Sequence, residues 1–363
     1  MGATLAAALV MGAMLVSHPG WAQQSANPSR VVVAVVGDVL LEAPWIKPRN
    51  PSQIFNGVRE EFARADLVFA NFEEPITSRE LVTPDKDPEK VRAGADYILR
   101  ARNGAIPVAL KYAGIGLVGL ANNHTMDYTP AGMRDTLQCF READLPAVGA
   151  GLKADAERAF IFSSKGLRIA LLAFSDVVPI HSAAGETREG VASAKNERDL
   201  ANAIARARQE SDFTVLVIHW GGQGHHLITK RQHYLARLAA KAGCDAVVGM
   251  HPHVLQGIEF VGKTPVFYSI GNFAFPTIST DAHESLVLRL GFESKQLEAI
   301  EIVPAEISWN GVPRIAKGRD GDSILRHLDG YCRTFNSRIS HGTALRAAQR
   351  QPLVFDASSD APQ

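Results

Sequence analysis

His251-Pro252-His253 places two imidazoles two residues apart, directly after the apolar run 246–248 and a break at Gly249. In an extended backbone residues i and i+2 point to the same side, so both rings can converge on one object. Pro252 fixes its own φ and biases His251 toward an extended shape. Neutral imidazole is the commonest metal ligand, so the pair suits a transition-metal ion, although a lone His-x-His is more often a surface turn. Repetition along the chain decides between the two. Asp38 follows the β-branched run 31–36, Glu73 follows 67–70, Asn123-His124 follow 116–120, and His219 closes 213–218. Two carboxylates, an amide and four imidazoles each arrive at the end of an apolar strand, and in an α/β sheet such ends share one rim. This donor set supports two-metal hydrolysis, in which cations about 3.5–4 Å apart activate a water near neutral pH. Mixed His, Asp/Glu and Asn ligands point to Mn, Zn or Fe, one or two ions, rather than Mg or Ca. The absence of Cys ligands argues against a structural zinc.

Those strands must be positioned by helices between them. Helical periodicity appears at 52–65, 96–103, 111–114, 131–143, 199–208 and 229–242, the last closed by Gly243 as a C-cap. Residues 160–163 and 167–174 read as a hairpin across Lys165-Gly166, and 285–292 with 298–307 as an antiparallel pair. Residues 78–94 and 175–192 read as loops, and a short helix is expected beyond Arg319. Alternating strands and helices give an α/β domain, and the antiparallel pairs make its sheet mixed.

Bulk properties narrow the functions. The 363 residues are 46% hydrophobic and 21% charged, with 38 Lys+Arg against 38 Asp+Glu and a pI of about 7.2. Zero net charge leaves no nucleic-acid footprint and no general attraction to an anionic membrane. Residues 1–22 are apolar and free of charged side chains, and read as a signal peptide, so a periplasmic or secreted protein is expected. Cys139, Cys244 and Cys332 are odd in number and far apart, which gives neither a zinc spacing nor a disulfide framework. The tail 351–363 reads as disordered.

The ordered series GD (Gly37-Asp38), NFE (Asn71 to Glu73), ANNHxxD (Ala121 to Asp127), HWG (His219 to Gly221), GMHPHVxQxxE (Gly249 to Glu259) and YSIGNFxF (Tyr268 to Phe275) resembles the CapA family. That family is associated with bacterial capsule and poly-γ-glutamate synthesis, and its fold is related to the calcineurin-like metallophosphoesterases. The resemblance implies a four-layer sandwich of two mixed β-sheets flanked by helices over residues 31–305, with 306–350 as an extension packed on it. It implies that Asp38 and His253 serve a first metal, that Glu73 stands in the place of the bridging acid, and that Asn123, His219 and His251 serve a second. His124 resembles the histidine that donates a proton or steadies an anionic transition state, with Asp127 placed to orient it. Gln232, Gln256, Glu259 and Asn272 match family positions that can contact substrate. There are departures. The phosphoesterase pattern GDxH has Leu40 in place of its histidine, Glu73 replaces the usual aspartate, and HWGxEY has Gln223 and Gly224 in its acidic and aromatic places. The function implied is an exported metal-dependent hydrolase or transferase on an anionic, amide-linked polymer of the poly-γ-glutamate type, within a membrane synthase complex. A cell-envelope phosphoesterase and a non-catalytic polymer-handling subunit are the alternatives.

Overall fold

The computed structural model describes residues 29–47, 49–94, 96–294, 296–335, 337–340 and 344–347. The leader expected at 1–22 and the tail 351–363 lie outside the described residues. Within them the chain builds two large sheets. The first has eight strands: β1 (Val31–Val39), β2 (Leu67–Phe72), β3 (Leu117–Gly119), β4 (Ala147–Val148), β13 (Asn272–Ala274), β14 (Glu284–Glu293), β15 (Gln296–Ile307) and β16 (Pro313–Ile315). The second has six: β6 (Phe160–Ser164), β7 (Leu167–Ser175), β9 (Phe213–His219), β10 (Ala246–Met250), β11 (Ile258–Val261) and β12 (Thr264–Phe267). Two short pairs complete the strands, β5 (Ala150–Gly151) with β8 (Gly190–Val191) and β17 (Ser337–Ser340) with β18 (Ala344–Ala347). The helices are α1 (Pro51–Ile54), α2 (Arg59–Phe62), α3 (Pro88–Arg92), α4 (Ile106–Ala113), α5 (Thr129–Glu142), α6 (Lys153–Ala156), α7 (Glu197–Glu210), α8 (Lys230–Ala242) and α9 (Gly318–Cys332).

Side-chain alternation along β1 sets the layering. Val31, Val33 and Val35 pack against Ile169, Leu171, Val215 and Val248 of the other sheet, forming the central core. Ala34 and Val36 point the opposite way, into a core with Ile54, Phe62, Leu110 and Met133 from α1, α2, α4 and α5. The far face of the second sheet meets α7 and α8 through Leu200, Ile204, Leu235 and Ala239. Helix, sheet, sheet, helix: this is the four-layer order that the resemblance implies. Each fully buried valine of β1 contributes roughly 1.5–3 kcal/mol, before the cost of ordering the chain is subtracted. Helix α9 adds Ile324, Leu328 and Cys332 to the central core, while β16 extends the first sheet beyond β15. No helix among the described residues is long and apolar enough to cross a membrane.

Several local expectations change. Residues 52–65 form two one-turn helices rather than one, separated at Gly57, where a Cβ would sit 3.0 Å from the Pro313 carbonyl oxygen. Residues 96–103 are not helical. Ala101 bridges Ile76, and the Leu99 amide donates to Asp127, so tertiary pairing overrides the local helical pattern. Helix α4 starts at Ile106, ahead of the short stretch expected at 111–114, with Pro107 in its first turn.

The cysteines give a direct check on this core. All three are free. Cys244 and Cys332 are buried, and burial pushes both thiols up, that of Cys332 to about 12. Thiol reagents react with thiolates. A disulfide-exchange reagent is expected to modify at most Cys139 in the folded protein and all three once it is denatured. Rapid native labelling of two or three thiols would contradict this packing.

Candidate active site

The parallel strands β1, β2 and β3 of one sheet and β9 and β10 of the other end at a common rim. Asp38 is the next-to-last residue of β1, where Gly37 forms a bulge and the register shifts against both β2 and β13. Its cross-strand partners are Asn71 on β2 and Asn272 on β13. Asn71 Nδ2 donates to Asp38 Oδ1 at 2.8 Å and to Glu73 Oε1 at 3.2 Å, so one amide clamps both carboxylates. Asp38 Oδ2 accepts from the His251 backbone N–H at 3.1 Å and lies 3.3 Å from His253 Nδ1. His253 Nδ1 also faces Asn272 Oδ1 at 2.8 Å. The chain thus brings Asp38, Glu73 and His253 together, with one donor atom from each inside a 4.8 Å span.

The second group follows without a gap. His219 Nδ1 is 3.6 Å from Glu73 Oε1, its Nε2 is 2.9 Å from Asn123 Oδ1, and His251 Nδ1 is 3.0 Å from that same Nε2. His124 Nδ1 pairs with Asp127 Oδ2 at 2.8 Å, and the Leu99 amide donates to the same oxygen at 2.8 Å. Behind this pair Lys86, itself buried, donates to Asp96 at 2.8 Å and lies 3.9 Å from Asp127 Oδ1. The paired histidines converge by a different route from the extended backbone expected. His251 has φ +92° and His253 φ +60°, so the turn around Pro252 is left-handed, and the rings lie 5.8 Å apart. Such φ values are costly for non-glycine residues and persist where surrounding contacts fix them, here Asp38 and Asn272.

Three of the proposed substrate contacts are tied into the scaffold instead. Gln232 closes a capping box with Thr229 at the start of α8, and its Nε2 donates to Gln256 Oε1. Gln256 Nε2 donates to the His225 carbonyl, while Glu259 accepts from the Tyr268 hydroxyl at 2.6 Å. Of the four, only Asn272 touches the cluster. His226 bonds the Leu255 carbonyl and stacks on Tyr331. Sequence reasoning passed over Asn71, Asn122 and Lys86. The two asparagines stand inside quoted motifs, and Asn122 Oδ1 gathers the His124 and Thr125 amides. Lys86 sits in a polar stretch with no pattern to mark it.

Burial governs the charges. It raises the Glu73 carboxyl well above its ordinary range, and the neighbouring Asp38 carboxylate pushes the same way. Burial acts against the Asp38 anion too, but hydrogen bonding to His253 and the positive potential of His253 and His219 leave that group net below its usual value. Burial drops His219 to about 3 and His251 well below 6.5. Neutral imidazoles are the state a cation requires, and the positive charge of a cation would oppose the rise at Glu73. The fit goes further. Glu73 Oε2 and His251 Nε2 are buried with no hydrogen-bond partner among the described residues, which is expensive unless something else partners them. These residues fit a divalent cation.

The same shifts nearly cancel in the pH dependence of the metal-free protein. A histidine whose folded pKa is depressed binds fewer protons folded than unfolded, so His219 and His251 each cost stability as pH falls below 6.5, about 1.4 kcal/mol per pH unit. Glu73 and Glu74 have the opposite sign above 4.5, because burial raises both carboxyls, that of Glu74 to about 8. Two groups of each sign leave the urea midpoint of chelator-treated protein nearly flat from pH 6.5 to 4.5. Glu74→Gln removes one of the acids, so the midpoint of that variant should fall over the same range. A flat or rising midpoint in Glu74→Gln would contradict the burial of His219 and His251.

The layered sandwich, with acids, amides and imidazoles buried where its parallel strands end, defines the class: a metallophosphoesterase-like α/β protein. The family follows from direct comparison. A model of the bacterial capsule synthesis protein PGA_cap family matches residues 32–277, more than half of the chain, and the chain belongs to that family. It is 32% identical over 277 residues to the PGA biosynthesis protein CapA of Bacillus subtilis, covering 75% of this chain and 70% of that protein. It is 29% identical over 307 residues to the capsule biosynthesis protein CapA of Bacillus anthracis, covering 82% and 73%. Among solved structures, a putative 5'-nucleotidase from Staphylococcus aureus aligns with a TM-score of 0.49 at 11% identity, over 83% of this chain and 58% of that one.

Proposed function

We propose that this protein is an exported, metal-dependent hydrolase or transferase acting on the amide linkages of an anionic capsule polymer of the poly-γ-glutamate type, in a membrane synthase complex. The observation that carries the reading is the pair of orphaned polar atoms, Glu73 Oε2 and His251 Nε2, buried beside a His124–Asp127 couple. Asp38, Glu73 and His253 would hold one divalent cation, and Asn123, His219 and His251 would serve a second. A cation held there supplies Lewis acidity toward a carbonyl or phosphoryl oxygen and lowers the pKa of water. His124, fixed through Nδ1 by Asp127, presents Nε2 as the nitrogen that protonates the leaving group. Asn71 holds the two carboxylates in register, which keeps the cluster assembled before substrate arrives. The names of the Bacillus relatives support capsule or poly-γ-glutamate synthesis as the setting, and the apolar stretch 1–22 supports export.

The test is turnover of purified poly-γ-glutamate by the full-length protein with added Mn or Zn, alongside an aryl phosphate. Amide cleavage or transfer that His124→Ala reduces by roughly 100-fold or more supports the proposal. Turnover of the phosphoester alone replaces it with a phosphoesterase. One observation favours a non-catalytic reading. Leu40, standing where the phosphoesterase pattern has a histidine, is fully buried against Ala43, Leu99 and Phe275, so the first cation has one ligand fewer. Unchanged polymer output in cells carrying His124→Ala would establish that reading.

A further inference from the structure

A cavity of about 570 Å³ next to the site carries a charge pattern that the cation cluster does not use. Glu42 and Lys47, in the loop after β1, line it together with Arg100, Arg102 and Tyr128, and the Glu42 carboxylate is occupied by the Arg102 backbone N–H, which donates to it at 2.6 Å. Both segments are tied to the site. The Glu42 amide donates to Glu74, the neighbour of Glu73, and the Leu99 amide donates to the Asp127 carboxylate that orients His124. Arg100 is fixed in place, its guanidinium 4.6 Å over the Tyr128 ring and bonded to the Arg79 carbonyl at 2.6 Å. Arg102 donates to Glu80 Oε1 at 2.8 Å, and Arg100 Nη1 lies 3.3 Å from the same oxygen. The Glu80 side chain is otherwise open to solvent, 74% exposed.

We propose that Arg100 and Arg102, with Lys47 beside them, form a carboxylate subsite that grips one repeat unit of an anionic polymer while another lies at the His124 cluster, and that Glu80 fills this subsite in the free protein. The inference rests on the polymer reading above and adds the residues that hold the chain. Guanidinium groups recognise carboxylates through charge-assisted hydrogen bonds, and a fixed arginine loses little freedom on binding. An exposed ion pair such as Arg102–Glu80 is worth about 0–1 kcal/mol, so exchanging one carboxylate for another costs almost nothing. A polymer that presents many carboxylates then gains by avidity.

The experiment is binding of fluorescently labelled poly-γ-glutamate to the full chain, with uncharged dextran as control. Arg102→Gln is expected to weaken binding roughly tenfold, the size of one charge-assisted contact. Arg102→Lys should recover part of the loss, and Glu80→Gln should tighten binding about threefold by emptying the subsite. Melting temperatures within a few degrees of wild type would show that these exposed substitutions leave the fold intact. If the wild type binds the polymer and both Arg102→Gln and Glu80→Gln bind equally well, the subsite is wrong and the polymer reading stands. If the wild type takes up a divalent cation but binds no poly-γ-glutamate, the polymer reading itself fails, and the subsite with it.

Discussion

Asp38→Asn is expected to reduce divalent-cation affinity on the order of 100-fold or more, because it removes a direct ligand where outer-shell losses alone cost 10–100-fold. Asp38 accepts from Asn71 on one oxygen and from the His251 backbone on the other, and faces His253 at 3.3 Å. An amide in its place brings an NH2 group against one of two existing donors and carries no charge. The variant separates a ligand role from a structural one. The NH2 group set against a buried donor should lower the melting temperature of the metal-free protein, so the ligand role is read from the cation-dependent shift alone. The upward shift of the wild type on adding Zn or Mn should disappear. Thermal melts with and without cation, together with elemental analysis after dialysis, check both halves. A variant that keeps its cation removes Asp38 from the ligand set.

Gly37→Ala should be among the most damaging single-methyl additions in the chain. A Cβ at Gly37 would lie 1.9 Å from the Gly271 carbonyl oxygen and 2.9 Å from its carbon, both backbone atoms that no rotamer can move. The bulge that turns Asp38 toward the rim exists because β1 and β13 approach this closely, the Asp38 amide donating to the same carbonyl at 3.3 Å. Overpacking of this kind costs about 3 kcal/mol or more. Gly249→Ala meets the Tyr268 carbonyl at 2.0 Å on the opposite sheet and should behave alike. Gly330→Ala is the control. It lies within α9 with nothing inside 4 Å of its Cβ, so alanine there should be neutral or stabilising by up to about 1 kcal/mol. Denaturant midpoints of the three variants measure the contrast, and a Gly37→Ala protein as stable as wild type would contradict the close approach.

Much of the site was legible because strands announce themselves and chemistry gathers at their ends. Asp38, Glu73, Asn123, His219 and His251 each followed an apolar run, and the fold brings them within contact of one another. His251 and His253 were found for an incorrect backbone reason. Pro252 does not hold the pair extended, because hydrogen bonds to Asp38 and Asn272 select a left-handed turn that only the folded neighbours can specify. Four-layer order lay outside the reach of periodicity. Alternation shows that β1 has two buried faces, not whether helices or a second sheet cover each. Residues 96–103 misled for a related reason, since Leu99 and Ala101 are recruited by Asp127 and Ile76 across the fold. Gln232 and Gln256 carry the right residue types but serve a helix cap and a loop, which composition cannot distinguish from substrate contact. Lys86 was invisible because a lysine in a polar stretch is ordinarily solvated, and only the return of that loop onto Asp127 buries it.

Anomalous diffraction from crystals soaked in Zn or Mn, recorded at the absorption edge of the added ion, asks most directly whether five distant strand ends make one cation site. The expected result is a peak bounded by Asp38, Glu73 and His253, with His251 turned toward it or toward a second peak beside Asn123 and His219. Crystals that diffract well and show no peak among these side chains, at cation concentrations that saturate known sites of this ligand type, would contradict the account.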